Sequence, residues 1–246
     1  MHTPGYYRFP AVFGDHMVFV SEGDLWSKDS FESMARRLTH SRGDIKTPVF
    51  SPDGKWIACA ASDEGPMEVH IMPAQGGHLR RLTYLGSSVT VHQWTHEGIF
   101  FSTAAQHPFR VEELFRIHPE GGEPEKLNWG PVMFYHEGQK SSHKVIQRHG
   151  YREFAYWKRY RGGTAGDLWI SNGSNGEFVR LIDLKGNLAR PHILGDRVYF
   201  LSDHEGIGNV YSCDFKGQDL KQHSKQKEFF ARGLACDGQQ LIYHAG

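Results

Sequence analysis

The feature that most restricts this chain is a turn that keeps returning. Gly14-Asp15, Asp53-Gly54, Glu97-Gly98, Glu137-Gly138, Gly195-Asp196 and Asp237-Gly238 each sit between apolar stretches, as in "AVFGDHMVFVS" and "VFSPDGKWIACAAS". Glycine reaches backbone angles barred to other residues and aspartate tolerates the bend, so each reads as a hairpin turn. Measured between the acidic residues, the steps are 38, 44, 40, 59 and 41 residues. Four of the five match the length of a four-stranded repeat.

The rest of each repeat is also in place. About ten residues past a turn comes a short third strand: "DLW" (Asp24–Trp26), "EVH" (Glu68–His70), "ELF" (Glu113–Phe115), "DLW" (Asp167–Trp169) and "NVY" (Asn209–Tyr211). A glycine-rich turn follows, then a fourth strand closing on leucine, such as "RRLT" at Arg36–Thr39 and Arg80–Thr83. No helical periodicity longer than two turns interrupts the pattern.

Trp56 to Ala60 is apolar at every position, so neither pleat face of that strand expects water. A lone hairpin cannot cover both faces; neighbouring sheets on either side can. The expected architecture is therefore all-β, a six-bladed β-propeller with TolB- or WD40-like four-stranded blades. The blades fall at about 7–46, 47–90, 91–130, 131–189, 190–230 and 231–246. The sixth breaks off at "LIYHAG", after its second strand, so the last blade is expected to be incomplete and to expose a sheet edge. On this reading the 246 residues form a single propeller domain and a piece of something longer.

Composition narrows the function classes. Lys+Arg and Asp+Glu both number 28, which removes the basic excess usual in nucleic-acid binders. No apolar run approaches a membrane span, and no secretory signal is visible at the start. Cys59, Cys213 and Cys236 are an odd, sparse set that suits a reduced, cytoplasmic setting.

The 59-residue step carries an insertion, "RHGYREFAYWKRYRGGTAGDLWIS", in which aromatic residues alternate with Arg152, Lys158, Arg159 and Arg161. Aromatic planes and guanidinium groups suit a ligand, nucleic-acid or partner surface. A long strand pair with aromatic caps and solvent-reaching arginines fits the same residues.

Within that insertion, "WKRYRGGTAGDLWI" closely resembles a segment of the tricorn-type proteases, serine peptidases of the S41 class. "YYRFPAVFGDHMVFVSEGDLWS" resembles the start of those proteins, and "RVYFLSDHEGIGNVYSCDFKGQDLKQHS" their fifth blade. The resemblance covers essentially the whole chain and implies a role: the first propeller of a large cytoplasmic, oligomeric protease. It would be a port or filter for peptides in transit. Its partners would be the downstream propeller, PDZ and catalytic domains and other subunits; neither nucleic acid nor a membrane is expected.

No catalytic, cofactor-binding or metal-binding residue is assigned, and no cofactor is expected. The chain has no G-x-S-x-G elbow, no H-E-x-x-H and no phosphate-binding glycine loop; "NGSNG" at Asn172–Gly176 reads as a blade turn. His92 and His96 are four apart but bracket a strand-to-turn segment. The aspartate of each "DLW" is expected to satisfy donors at a turn. One departure from the resemblance concerns a carboxylate anchor: the loop Tyr84–Trp94 holds no Arg or Lys, only His92. That role is transferred to no residue, with Arg80 and Arg81 open as substitutes. Two other readings remain: a stand-alone TolB-like binding propeller, and the gating propeller of a prolyl-oligopeptidase-type hydrolase.

Overall fold

A computed structural model describes residues 6–151, 154–171, 173 and 177–245. The chain divides into two compact units, Met1–Leu127 and Asn128–Gly246. In the first, β1 (Arg8–Phe13), β2 (His16–Ser21), β3 (Asp24–Lys28) and β4 (Arg36–Arg37) form one antiparallel meander. A second follows from β5 (Ile45–Phe50), β6 (Trp56–Ala61), β7 (Glu68–Pro73) and β8 (Arg80–Arg81). The third is β9 (Val89–Thr95), β10 (Gly98–Thr103), β11 (Glu113–Ile117) and β12 (Glu125–Pro131), and the boundary between units falls within β12.

The middle sheet shows why Trp56–Ala60 could be apolar throughout. Ile57, Cys59 and Ala61 pack with Val18, Val20 and Leu25 of the first sheet. Ala58 and Ala60 turn the other way, onto Val89, Val91 and Phe101 of the third. Successive residues of one strand thus enter two different cores, which is what the period of two requires when both faces are covered. All five are fully buried, and three are alanines, small enough to let sheets approach. Trp56 differs from the expectation: it is 40% exposed at the end of its strand.

The second unit holds two more four-stranded sheets. One is β13 (Phe134–Glu137), β14 (Lys144–Arg148), β15 (Asp167–Ser171) and β16 (Val179–Arg180). The other is β17 (Leu188–Leu194), β18 (Arg197–Ser202), β19 (Asn209–Asp214) and β20 (Lys221–Gln222). β21 (Ala231–Cys236) and β22 (Leu241–Ala245) pair as a two-stranded sheet. The all-β propeller expectation holds at the level of five four-stranded blades. The sixth repeat is a hairpin, since no third or fourth strand stands beside it among the described residues.

The inner strands carry a device that sequence reading passed over. Register shifts occur at Arg8/Ala11 in β1, Lys46/Val49 in β5 and Ala189/His192 in β17. At each, a residue with φ near +50°, Phe9, Thr47 or Arg190, stands directly before Pro10, Pro48 or Pro191. These are β-bulges, which bend the strand and re-aim a side chain. A left-handed non-glycine residue costs on the order of 1 kcal/mol, so its recurrence at one place marks a required bend. The visible signal was a repeated X-Pro at the start of the inner strand.

Candidate functional site

The fourth strand of the first two sheets is built on "RRLT", and each residue has a separate task. The first arginine crosses to the next sheet: Arg36 donates to the carbonyl and side-chain oxygens of Gln75, at 3.1 and 2.9 Å. Arg80 likewise donates to the carbonyls of Pro119 and Glu120, at 2.8 and 3.4 Å. The second arginine turns back to its own sheet, Arg37 onto Asp24 and Arg81 onto Glu68. The leucine N–H donates to the third strand, Leu38 to Leu25 and Leu82 to Val69. The threonine donates to the carboxylate, Thr39 to Asp24 at 2.6 Å and Thr83 to Glu68 at 2.5 Å.

Asp24 is 2% exposed and Glu68 fully buried, so these carboxylates must be satisfied internally. Burial alone would push the Asp24 carboxyl up; the bonds from Thr39, the Ser41 N–H and Arg37 outweigh it and hold it below its ordinary value. Asp24 serves a turn, as expected of the "DLW" aspartate. Asp167 is engaged differently, accepting from the Trp169 indole at 2.9 Å and lying 3.2 Å from His149 Nδ1.

Between the second and third sheets lies an open cleft of about 630 Å³. Its origin is a change of side chain at the hairpin mouths. In the first sheet Phe13 and His16 close the hairpin, and both rings pack on Phe50 of the second. Phe13 also covers Gly54, where a Cβ would stand 2.3 Å from the ring. The same closing places are Ser51 and Trp56 in the second sheet, joined by Ser51 N–H to Trp56 O, and Thr95 and Gly98 in the third. Small residues at Ser51, Thr95 and Gly98 leave the space unfilled. Gly98 cannot be enlarged, because its φ is +138° and a Cβ would meet the Ile117 carbonyl at 2.7 Å. Trp56, Trp94, His96 and His118 line the cleft above the Ile71 floor, and the Arg80 bridge to Pro119 and Glu120 is part of its wall.

The residues singled out from sequence fall in several places. Arg81 is locked between Glu68, Glu64 and the Thr83 carbonyl, with its guanidinium 4.4 Å from the centre of the Tyr84 ring. Arg80 lines the cleft, so of the two open substitutes it is the accessible one. His92 is buried in β9 at 4% exposure, while His96 is exposed on the turn. Among the described residues no group of three or more His, Cys, Asp or Glu is placed to hold a metal. No helix among them is long and apolar enough to cross a membrane.

Among the described residues three Ser–His pairs are hydrogen-bonded: Ser27 with His16 and Ser212 with His223, both at 2.7 Å, and Ser202 with His204 at 2.9 Å. All three serines are fully buried. Asp29 approaches the same His16 nitrogen that meets Ser27, at 3.9 Å, and Glu205 and Asp203 act on His204 through their charge, with no hydrogen bond to its ring among the described residues. A nucleophile must reach substrate and its base must be oriented through the other nitrogen, so this geometry does not assemble acyl transfer.

The blade-four insertion folds as a strap. Phe154–Trp157 is a 3₁₀ turn whose Ala155 is buried with Leu201, Val210 and Phe230. Arg159 donates its N–H to Asp203 at 2.6 Å and its Nε to the Gly206 carbonyl at 3.1 Å. Lys158 Nζ lies 5.2 Å from the centre of the Phe230 ring. Lys158 and Arg159 therefore tie the fourth sheet to the fifth and to the terminal hairpin. Tyr156 and Arg161 are exposed. Arg152 and, apart from Gly173, the "NGSNG" turn lie outside the described residues.

Comparison with known proteins agrees with this architecture. Residues 4–246 match the tricorn protease N-terminal beta propeller domain. The chain is 40% identical over 245 residues to tricorn protease homolog 1 of Streptomyces coelicolor, covering 98% of this chain and 23% of that protein. It is 31% identical over 251 residues to the tricorn protease of Thermoplasma acidophilum, covering 96% of this chain and 23% of that protein. A crystal structure of the tricorn protease superposes with a TM-score of 0.89 at 29% identity, over 99% of this chain and 24% of that one. The chain thus spans about a quarter of the length of these relatives. With its sheets in the order a propeller requires and nearly its full length matched, the chain belongs to the tricorn protease N-terminal β-propeller domain family.

Proposed function

We propose that this chain is the entrance module of a tricorn-like cytoplasmic serine protease. It passes or filters peptides toward a catalytic centre carried elsewhere and serves as scaffold for the domains and subunits that hold it, in a homo-oligomeric assembly. The same proposal includes six blades with the limits given above, the two-stranded hairpin being the last of them. The observation that carries the reading is the match over 98% of this chain to only 23% of a tricorn protease homolog. The buried serines support an inert module, since none of the three can reach a substrate.

The test is peptide hydrolysis by the 246 residues alone and when joined to the remaining length of the Streptomyces coelicolor homolog. The expected result is no turnover alone and inhibitor-sensitive turnover in the joined chain. Hydrolysis by the isolated chain, abolished by a serine-directed inhibitor, would overturn the inert role. A joined chain no better than the remainder without any propeller would overturn the port and scaffold role.

A further inference from the structure

The cleft between the second and third sheets has a chemistry that the port reading does not use. Its aromatic lining consists of two indoles and two imidazoles, and Pro52 and Pro119 stand among them. Among the described residues neither the Trp56 nor the Trp94 indole N–H has a protein partner. Trp26 and Trp169, by contrast, each donate to an oxygen at about 3 Å. Arg80 adds a guanidinium bound to carbonyl oxygens and to no carboxylate. Asp53 Oδ1 accepts from Ser51 Oγ and the Lys55 N–H, and Oδ2 faces Lys55 Nζ at 3.7 Å. The site therefore offers flat apolar faces and unused donors.

The complementary ligand is rich in acceptors, poor in donors and rigid enough to lie against rings. A proline-bearing segment in the polyproline II form meets all three conditions: its carbonyls are free, its prolines have no N–H, and its ordering cost is low. Arg80 on one side and Asp53 and Glu120 on the other give the cleft charges of both signs, so no single charge on a ligand is favoured throughout it. From this we infer that the Trp56–Trp94 cleft is a docking site for a proline-rich, extended peptide segment. The rings seat on the indole faces and the indole N–H groups donate to proline carbonyls. The first sheet cannot do this, because Phe13 fills the equivalent place.

The test uses the 246-residue chain and a capped hexaproline probe, with a capped Gly-Ser hexapeptide as comparator. The chain has six tryptophans, so indole N–H resonances are few enough to assign with Trp56→Phe and Trp94→Phe. The expected result is a saturable shift of those two resonances by hexaproline. Half-saturation should come at a concentration at least about tenfold below that for the Gly-Ser peptide. Trp56→Ala, at an exposed position, should weaken it about tenfold, and Ser51→Phe should block it by reproducing the Phe13 plug. Amide spectra report whether each variant is folded. No shift, equal response to both peptides, or undiminished binding in folded Trp56→Ala would overturn the assignment.

Discussion

In the second sheet Thr47 accepts the Val91 N–H of the third sheet; in the fourth, His136 accepts the Ile193 N–H of the fifth, both at 3.2 Å. The same link between inner strands is made once with a hydroxyl and once with an imidazole. The outer strands differ in parallel. Glu68 is held by Thr83 and Arg81, whereas in the fourth sheet Ile182 follows Leu181 where Thr83 follows Leu82, and Asp167 turns to Trp169 and His149. Among the described residues the fourth sheet shows no Thr–carboxylate staple of this kind, and the Lys158–Arg159 strap runs from it onto its neighbours. Sheets of one repeat pattern are thus fastened in different ways, the second within itself and the fourth also through a long-range strap.

Arg81→Met gives the largest expected effect. It strips the cation from a fully buried carboxylate, and chemical denaturation should show a loss of about 3–5 kcal/mol. A loss below about 1 kcal/mol would mean that the second sheet is no more dependent on its staple than the fourth.

Acid should act next, and more strongly on the fourth sheet than on the second. Burial pushes the His136 imidazole down to about 3, from an ordinary value of 6.5. Above pH 6.5 the ring is neutral folded or unfolded. Between 6.5 and about 3 the unfolded chain takes the proton and the folded chain does not, so stability falls as pH drops, by up to about 1.4 kcal/mol per pH unit for this one group. His16, His70 and His204 are also lowered by burial and add in the same direction. Stability curves at pH 7, 6 and 5 check this, and His136→Gln should flatten the slope. An unchanged slope would return His136 to the standing of Thr47.

Asp167→Asn should cost about 1 kcal/mol, since it weakens two partly exposed contacts without stranding a buried charge. Ile182→Thr, which restores the residue that Thr83 supplies, should change stability by less than about 1 kcal/mol. Asp167 is already engaged and the lost Ile182 packing offsets a new bond. A gain well above that would show the staple to be merely absent from the fourth sheet, with nothing in its place.

Much of this was legible because it is local. The turn residues, the "DLW" and "RRLT" tokens and the unbroken run at Trp56–Ala60 each report on neighbours within one repeat, and they located the third and fourth strands. The cleft was not legible, because it depends on Ser51 and Gly98 occupying places where the first sheet has Phe13 and His16. That is a comparison of registers, and registers are fixed only once the strands pair. The strap was hidden for a similar reason: Arg159 and Asp203 are far apart in the chain, and nothing in "WKRYRGG" names its acceptor. The five four-stranded sheets were legible from turn spacing, and the sixth turn, Asp237-Gly238, joins the two strands of the terminal hairpin.

The second sheet buries its two faces against different neighbours, and adjacent residues of β6 measure this directly. Methyl nuclear Overhauser contacts should run from Ile57 to Val18, Val20 or Leu25 of the first sheet, and from Ala58 to Val89, Val91 or Phe101 of the third. Contacts from both methyls to a single neighbouring sheet, with the other face in water, would contradict it.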